Sequence, residues 1–250
     1  MAFGSDRQTS FSRAADSALI DEGLRSYMLR VYNYMATGLA LTGLVAYMVA
    51  NTPFLRDAIF GTPLMWVVML APLGMVLYLG AKINSMSVSA AQTSFWIFSI
   101  LMGMSLASIF MIYTGTSIAR VFFITSGVFG AMSLYGYTTK RDLTGWGSFL
   151  FMGLIGIIIA SVVNMFMASS ALMFAISVIG VLVFVGLNAY DTQNIKNMYS
   201  QSDSTVVTSK KAIMGALKLY LDFINLFIMM MHLFGARRSP VDRFARKRSA

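Results

Sequence analysis

The sequence predicts an all-α membrane protein with seven transmembrane helices, and both its composition and its hydrophobic runs indicate that class. Hydrophobic residues make up 57% of the 250 residues and charged residues only 12%, with a mean hydropathy of +0.70. A soluble domain carries about 25% charged residues. The apolar residues come in runs of about 20, the length that a helix needs to cross a hydrocarbon core of roughly 30 Å. Alternating segments typical of a transmembrane β-barrel are absent from the sequence.

Seven hydrophobic segments are separated by short polar breaks. Pro53 ends the first segment, and Lys140 marks an aqueous loop between the fourth and the fifth. The predicted spans cover residues 31–50, 63–81, 90–111, 121–137, 146–168, 171–191 and 212–234. They divide the chain into a polar tail over residues 1–28, expected to be disordered, a seven-helix domain over residues 29–235 and a basic tail over residues 236–250.

The distribution of lysine and arginine between the loops predicts the orientation, because cytoplasmic loops carry an excess of both. With the N-terminus in the cytoplasm, the inner loops hold six basic residues: Lys82, Lys140, Arg141, Lys196, Lys210 and Lys211. The outer loops then hold two, Arg56 and Arg120. We therefore expect a cytoplasmic N-terminus.

The basic C-terminal tail conflicts with that orientation, because seven full crossings place it outside. Either the tail is translocated despite its charge, or the last hydrophobic segment does not cross completely. If Lys218 marks the aqueous boundary, residues 219–234 provide only about 24 Å of helix, which is short for a span. If Lys218 instead extends its charged end to the interface from inside the membrane, the segment spans comfortably. We favour seven full crossings.

The charge and the reactive residues exclude several classes of function. The chain has no cysteine and a single histidine, His232, so disulfides and thiolate metal sites are excluded and zinc chemistry is not expected. The net charge of +9 is explained by topology and by attraction to anionic lipid, and we expect no nucleic-acid partner. Catalytic signatures such as His-Glu-x-x-His and Gly-x-Ser-x-Gly are absent. The sequence therefore predicts neither an enzyme nor a bound cofactor.

Two of the ten acidic residues, Asp191 and Asp222, lie in or against hydrophobic segments. A carboxylate in hydrocarbon costs several kcal/mol, so such residues face a partner or a water-filled cavity. Along a helix, Asp191 lies about 7.5 Å before Lys196, and Asp222 lies about 6 Å after Lys218. The two segments run antiparallel, so both acids are expected at similar depth on the cytosolic side. If Lys211 instead marks the aqueous boundary, Asp222 lies about 16 Å inside it along the helix, and its depth agrees less well with that of Asp191.

Two interpretations of these acids are open. In the first, the carboxylates touch and share a proton, because two of them in contact cannot both ionise cheaply. Loss of the proton then adds repulsion and creates an oxygen-rich site suited to Ca²⁺, with Asp191 and Asp222 as its ligands. In the second, Asp222 pairs with Lys218 one turn earlier, and Asp191 caps the sixth helix or faces water. Asn225, one turn after Asp222, either orients that carboxylate or serves helix packing.

The segments that hold these acids resemble a known family. The stretch GLNAYDTQ covers residues 186–193, LYLDFINLF covers residues 219–227, and residues 139–166 are also similar. Through them the chain resembles, over about residues 22–236, the Bax inhibitor family (transmembrane Bax inhibitor motif proteins) in its bacterial branch.

The resemblance implies a fold and a function. It implies seven helices, with six surrounding a central C-terminal helix, in a multi-pass protein of the bacterial inner membrane. It also implies a pH-sensitive calcium leak channel, controlled by a hydrogen-bonded aspartate pair that matches Asp191 and Asp222. The partners are then the lipid bilayer and Ca²⁺ or H⁺. A second implied role is regulatory: modulation of a membrane-anchored protease or of membrane-protein turnover, with residues 1–28 as an exposed cytosolic tail.

One departure from the family concerns the latch on the aspartates. The family can carry an arginine near the end of the second helix that holds the pair, whereas this chain reads LGAKINSM at residues 79–86, with Lys82 as the nearest cation. Lysine donates from a point charge and cannot reproduce bidentate pairing, so the latch is expected to be weaker or absent.

A proton-linked transporter that uses the same two acids is a third possibility.

Overall fold

The structure is a computed structural model that describes residues 5–239, with side chains from residue 21 onward. Eight α-helices account for nearly all of this range, and its one isolated β-bridge joins Tyr113 to Arg237. The helices are α1 (Ser5–Asn51), α2 (Pro53–Phe60), α3 (Leu64–Lys82), α4 (Val88–Ile112), α5 (Gly115–Thr138), α6 (Thr144–Met167), α7 (Ser170–Asn197) and α8 (Thr205–Phe234).

Seven of these helices are long and apolar enough to cross a membrane, which confirms the predicted fold class. The spans are Asp21–Asn51 within α1 and the whole of α3 to α8, while α2 is a short connecting helix. Residues 5–28, where the sequence predicts a partly disordered tail, belong to α1 in this structure. Residues 1–4 and most of the basic tail, 240–250, lie outside the described residues, so the predicted domain limits stay a prediction.

The starts of four helices are set by side-chain caps. Ser87, Thr114, Ser169 and Ser204 each accept a hydrogen bond from the backbone N–H three residues further on. Such caps satisfy one of the backbone donors that a helix start leaves unpaired. They explain why α5 begins six residues, and α8 seven residues, before the predicted spans: hydropathy finds the apolar run, whereas the helix begins at its cap.

The last helix, α8, is the most buried of the spans, with 67% of its apolar window inside the protein against 17–33% for the others. It packs mainly against α1, α4, α5 and α7, while α3 packs on α4 and α6 packs on α7. The finer expectation of six helices around the last one is not confirmed, because α3 and α6 form an outer layer that reaches α8 through α4 and α7.

A buried hydrogen-bonded junction holds α8 against α1 and α4. The Thr42 hydroxyl lies 2.6 Å from the Tyr220 hydroxyl and donates to the Ser99 carbonyl at 2.8 Å. The Phe98 ring meets the Tyr220 ring edge-on, with centroids 5.0 Å apart. An unpaired hydroxyl in this apolar interior costs about 1–3 kcal/mol, so the three helices are fixed in one register here.

The chain after α8 folds back as a strap over residues 235–239, which we call the C-terminal strap. Thr114 N–H donates to the Ala236 carbonyl at 3.0 Å, and Arg238 N–H donates to the Ile112 carbonyl at 2.9 Å. Ala236 N–H donates to Ser117 Oγ at 2.7 Å. The end of α8 is therefore tied to the connection between α4 and α5.

The other end of α8 lies on the opposite side of the bundle. There Lys210 Nζ donates to the Asn84 carbonyl, at 2.9 Å, in the connection between α3 and α4. Arg30, near the start of the α1 span, donates to Ser209 Oγ at 3.1 Å. Lys218 thus lies well inside α8 rather than at its boundary, and the helix runs from one side of the bundle to the other. This geometry supports the alternative of seven full crossings.

Reporter domains at the two chain ends should therefore report opposite sides of the membrane. We expect a fluorescent reporter at the N-terminus to be active in the cytoplasm, and a phosphatase fused after Ser239 to be active outside. A control fusion after Ser85, two spans from the start, should report the same side as the N-terminal fusion. Chain ends on the same side would contradict seven crossings.

Candidate functional site

The close approach of α7 and α8 decides which residues meet between them. A Cβ placed on Gly180 would come within 2.9 Å of the Met229 side chain, and one on Gly215 would come within 3.0 Å of Ile195. Glycine at both positions lets the two helices approach closely. The resulting antiparallel register brings residues 218–222 of α8 level with the last third of α7.

The structure brings the two predicted acids together at this level. Asp191 on α7 is 5% exposed and Asp222 on α8 is 6% exposed. The Asp222 carboxyl lies within hydrogen-bonding reach of the Asp191 carboxyl. Two carboxylates in such contact repel when both are charged, so a single proton held between them is the arrangement that stabilises the contact.

Lys218 provides the cation of the site. Its partner is Asp191 on α7, and not Asp222, which lies one turn away on α8. Its Nζ donates to Asp191 Oδ1 at 2.8 Å across the helix interface and lies 5.8 Å from the centre of the Tyr190 ring. The expected pairing of Lys218 with Asp222 along α8 is thus corrected. The Lys218 side chain is 44% exposed and that of Asp191 is 7% exposed. The lysine side chain therefore extends outward over α7 and contacts Asp191 there.

The Asp222 carboxyl has one oxygen without a protein partner. Its Oδ2 is buried and accepts no hydrogen bond from the described residues. Asn225, predicted to orient this carboxyl or to serve packing, donates its amide to the Leu221 carbonyl at 2.9 Å. The orienting role is therefore not what the geometry shows, because the short amide side chain closes on the backbone of its own helix.

Lys82, the nearest cation to the family's latch position, is not brought to the aspartate pair. It lies exposed in the last turn of α3, and among the described residues it forms no ion pair with either aspartate. The reason is the position of α3, which packs on α4 rather than against α7 and α8. The cation that contacts the pair is instead Lys218, through Asp191.

A buried polar group that the sequence analysis missed fixes α7 against α5. Asn188 donates its amide to the Phe129 carbonyl at 2.7 Å and accepts from the Ser133 hydroxyl at 2.9 Å. The Thr192 hydroxyl lies 3.2 Å from that of Ser133. In the sequence, the clustering of amide and hydroxyl residues around Asp191 in an otherwise apolar span could have indicated this polar group.

The end of α7 is also tied to the connection between α5 and α6. Gln193 accepts from Leu143 N–H and donates to the Arg141 carbonyl, both at 2.8 Å. Lys196 donates to the Tyr137 carbonyl at 2.8 Å and lies over the Tyr137 ring. These bonds hold α7 on α5 and on the connection between α5 and α6.

Asp191 and Asp222 by themselves provide too few ligands to complete a calcium site. Among the described residues, no group of three or more His, Cys, Asp or Glu side chains is placed to hold a metal ion. Ca²⁺ takes six to eight oxygen ligands, whereas Asp191 and Asp222 together offer at most four. A calcium ion at this position would therefore keep part of its water shell and compete with Lys218.

The fold and the site together define a polytopic membrane protein with an ionisable pair buried between its last two helices. A family model described as Inhibitor of apoptosis-promoting Bax1 matches residues 24–239. The chain therefore belongs to the Bax inhibitor family.

Bacterial relatives match nearly the whole chain. The uncharacterized protein RP147 of Rickettsia prowazekii is 52% identical over 233 residues, which cover 93% of this chain and 99% of that protein. The inner membrane protein YbhL of Escherichia coli K12 is 50% identical over 219 residues, covering 86% of this chain and 94% of YbhL. An uncharacterized protein of Caulobacter vibrioides is 45% identical over 229 residues, covering 88% and 92% respectively. With the seven spans, the YbhL match supports the predicted multi-pass location in the inner membrane.

Removal of the Lys218 cation should destabilise the fold. Lys218→Gln leaves Asp191 buried without its cation, and we expect a loss of about 1 kcal/mol, since the half-exposed lysine is partly screened by solvent. This corresponds to a fall of about 2–4 °C in the thermal unfolding midpoint for a chain of this size. The measurement is thermal unfolding of the purified protein in detergent. The matched control, Lys82→Gln, should leave the midpoint unchanged, and equal midpoints for both variants would contradict the assignment.

Proposed function

We propose that this protein is a pH-sensitive cation leak channel for Ca²⁺, held closed by a proton shared between Asp191 and Asp222. The observation that supports the proposal is the contact between two buried carboxyls on the last two helices. With one shared proton and the Lys218 cation, the group of three is neutral. Without the proton it carries one net negative charge in a site of low dielectric constant, where charge repulsion is much stronger than in water.

Loss of the proton has a defined mechanical consequence. The two carboxylates repel each other, and α7 is held by the bonds of Asn188, Gln193 and Lys196 to α5 and to the connection after it. The repulsion therefore displaces the turn of α8 that carries Asp222. The channel opens as the pH rises and closes as the pH falls.

The same step makes the site attractive to a divalent cation. Carboxylate oxygens are the hard ligands that Ca²⁺ prefers, and a site with excess negative charge draws cations toward it. Because the ligand set is incomplete and Lys218 stays nearby, binding is weak enough for the ion to leave.

Substitution of either aspartate by asparagine should remove the pH dependence. Purified protein in liposomes that contain a calcium-sensitive dye should admit Ca²⁺ faster as the pH rises, by at most about tenfold per pH unit for a gate controlled by one proton. In Asp191→Asn and Asp222→Asn an amide replaces one carboxyl of the pair, so the second negative charge cannot form. Calcium entry through both variants should therefore stay low and flat with pH. Asp203→Asn is the matched control, because Asp203 is also paired with a lysine, Lys211, but outside the pair.

The outcomes of this experiment separate the hypotheses. If both aspartate variants keep the wild-type pH profile, the gate is elsewhere and the proposal is wrong. If calcium entry requires an imposed proton gradient instead of following the calcium gradient alone, the protein is a proton-linked transporter that uses the same acids.

A further inference from the structure

Two cavities lie between α1 and α5, one in each half of the bundle. The outer cavity, of about 480 Å³, is lined mainly by apolar side chains and has Arg238 of the C-terminal strap among its lining residues. The inner cavity, of about 460 Å³, is lined by Arg25, Ser133 and Tyr137 among others. Asp191 and Asp222 line neither of these two cavities.

The two cavities follow one another along the cleft that α1 and α5 leave between them. On α1 the lining falls within residues 25–32 for the inner cavity and 39–51 for the outer one. On α5 the order is reversed, with residues 130–137 at the inner cavity and 115–123 at the outer one. Because α1 and α5 run antiparallel, both helices leave the same gap of about six residues, or about 9 Å, between the cavities.

Three aromatic rings, which we call the phenylalanine trio, lie where the outer cavity meets this gap. Phe223 of α8 meets Phe122 and Phe129 of α5, with ring centroids 5.5 Å and 5.4 Å apart and interplanar angles of 64° and 68°. Phe129 and Phe223 are almost completely buried, and both Phe122 and Phe223 are among the residues that line the outer cavity. The trio is therefore an edge-to-face aromatic contact at the end of the outer cavity that faces the inner one.

The trio adjoins the aspartate pair along α8, because Phe223 directly follows Asp222. On α5, Thr125 lies between Phe122 and Phe129, and it is fully buried. Thr125 Oγ1 and Asp222 Oδ2 are two buried oxygens to which no described residue provides a hydrogen-bond partner. Buried polar atoms normally have a hydrogen-bond partner in the protein or in water. The apolar contact of the trio is therefore flanked by a polar atom on α5 and by another on α8.

We infer that the cleft between α1 and α5 is the cation route of the proposed leak and that the phenylalanine trio is its barrier. The inference rests on the proposed function. A dry aromatic constriction stops a hydrated cation, because the ion would have to leave its water without receiving other ligands. The aspartate pair then acts as the proton sensor: when α8 shifts at Asp222, Phe223 moves away from Phe122 and Phe129, and the two cavities join.

Truncation of the central ring should uncouple calcium entry from pH. Phe223→Ala should raise calcium entry at acidic pH, where the wild type is closed, by about tenfold, because the dry constriction is lost. The double variant Phe223→Ala with Asp222→Asn should remain open, since the sensor no longer controls the barrier. The matched control is Phe98→Ala, which removes another buried ring that contacts α8, through Tyr220, but on the α4 side.

A second measurement follows water in the cleft directly. The chain has no cysteine, so Ala46→Cys places a single thiol in the lining of the outer cavity. At one fixed alkaline pH, a water-soluble thiol reagent added only on the side of the inner cavity should react faster in the wild-type background than with Asp222→Asn, which keeps the barrier closed. Gln201→Cys, in the exposed connection before α8, should react equally in both backgrounds.

These results distinguish failure of the route from failure of the leak. If Phe98→Ala admits as much calcium at acidic pH as Phe223→Ala does, general loosening explains the flux and the barrier is refuted. If the aspartate variants lose their pH dependence but Ala46→Cys reacts equally in both backgrounds, the leak stands and its route lies elsewhere. If the wild type shows no pH-dependent calcium entry at all, the proposed function fails, and the inferred route with it.

Discussion

The burial of two carboxyl groups between α7 and α8 is the constraint on which the rest of the site depends. In a bundle that lies within a bilayer, such charges are stable only when they are neutralised by a cation, a proton or both. Asp191 takes its cation from Lys218, and in the proposed gate a proton shared with Asp222 neutralises the second carboxyl. The contact between the two acids exists only because Gly180 and Gly215 let the two helices approach each other. Helix packing and protonation are thus linked, so a change in one is felt by the other.

Hydropathy and helix geometry were sufficient to predict the seven spans and the similar depth of the two acids, whereas the contact between the acids stayed one of two interpretations of the residues. The partners of those acids were not predictable in the same way. Lys218 has Asp222 one turn away on its own helix, yet it reaches Asp191, because the choice depends on where α7 lies. Lys82, whose latch was expected to be weaker or absent, lies away from the pair because α3 packs on α4, and the sequence does not reveal that packing. Asn225 bonds to its own backbone, a local competition that spacing alone does not decide.

The basic C-terminal tail was the main conflict in the predicted topology, and the strap shows how its first residues are accommodated. Arg238 donates from its backbone to Ile112 and from Nε to the Tyr113 carbonyl, both at 2.9 Å. Residues 235–239 are therefore paired to the connection between α4 and α5, on the side of the bundle opposite to Lys210. Orientation is set mainly by positive charge in short loops near the span ends, and those loops agree with a full crossing of α8.

The order of residues along α8 gives the proposed leak its coupling. Tyr220 faces α1 and α4 through its contact with Thr42, Asp222 faces α7, and Phe223 faces the rings of α5. At about 100° per residue, these three side chains point to three different neighbours within a single turn. A repulsion at Asp222 therefore acts on a helix that is held on its opposite side by Tyr220. The movement left to α8 is a rotation or a tilt about that contact, and either one displaces Phe223 before it disturbs the rest of the bundle.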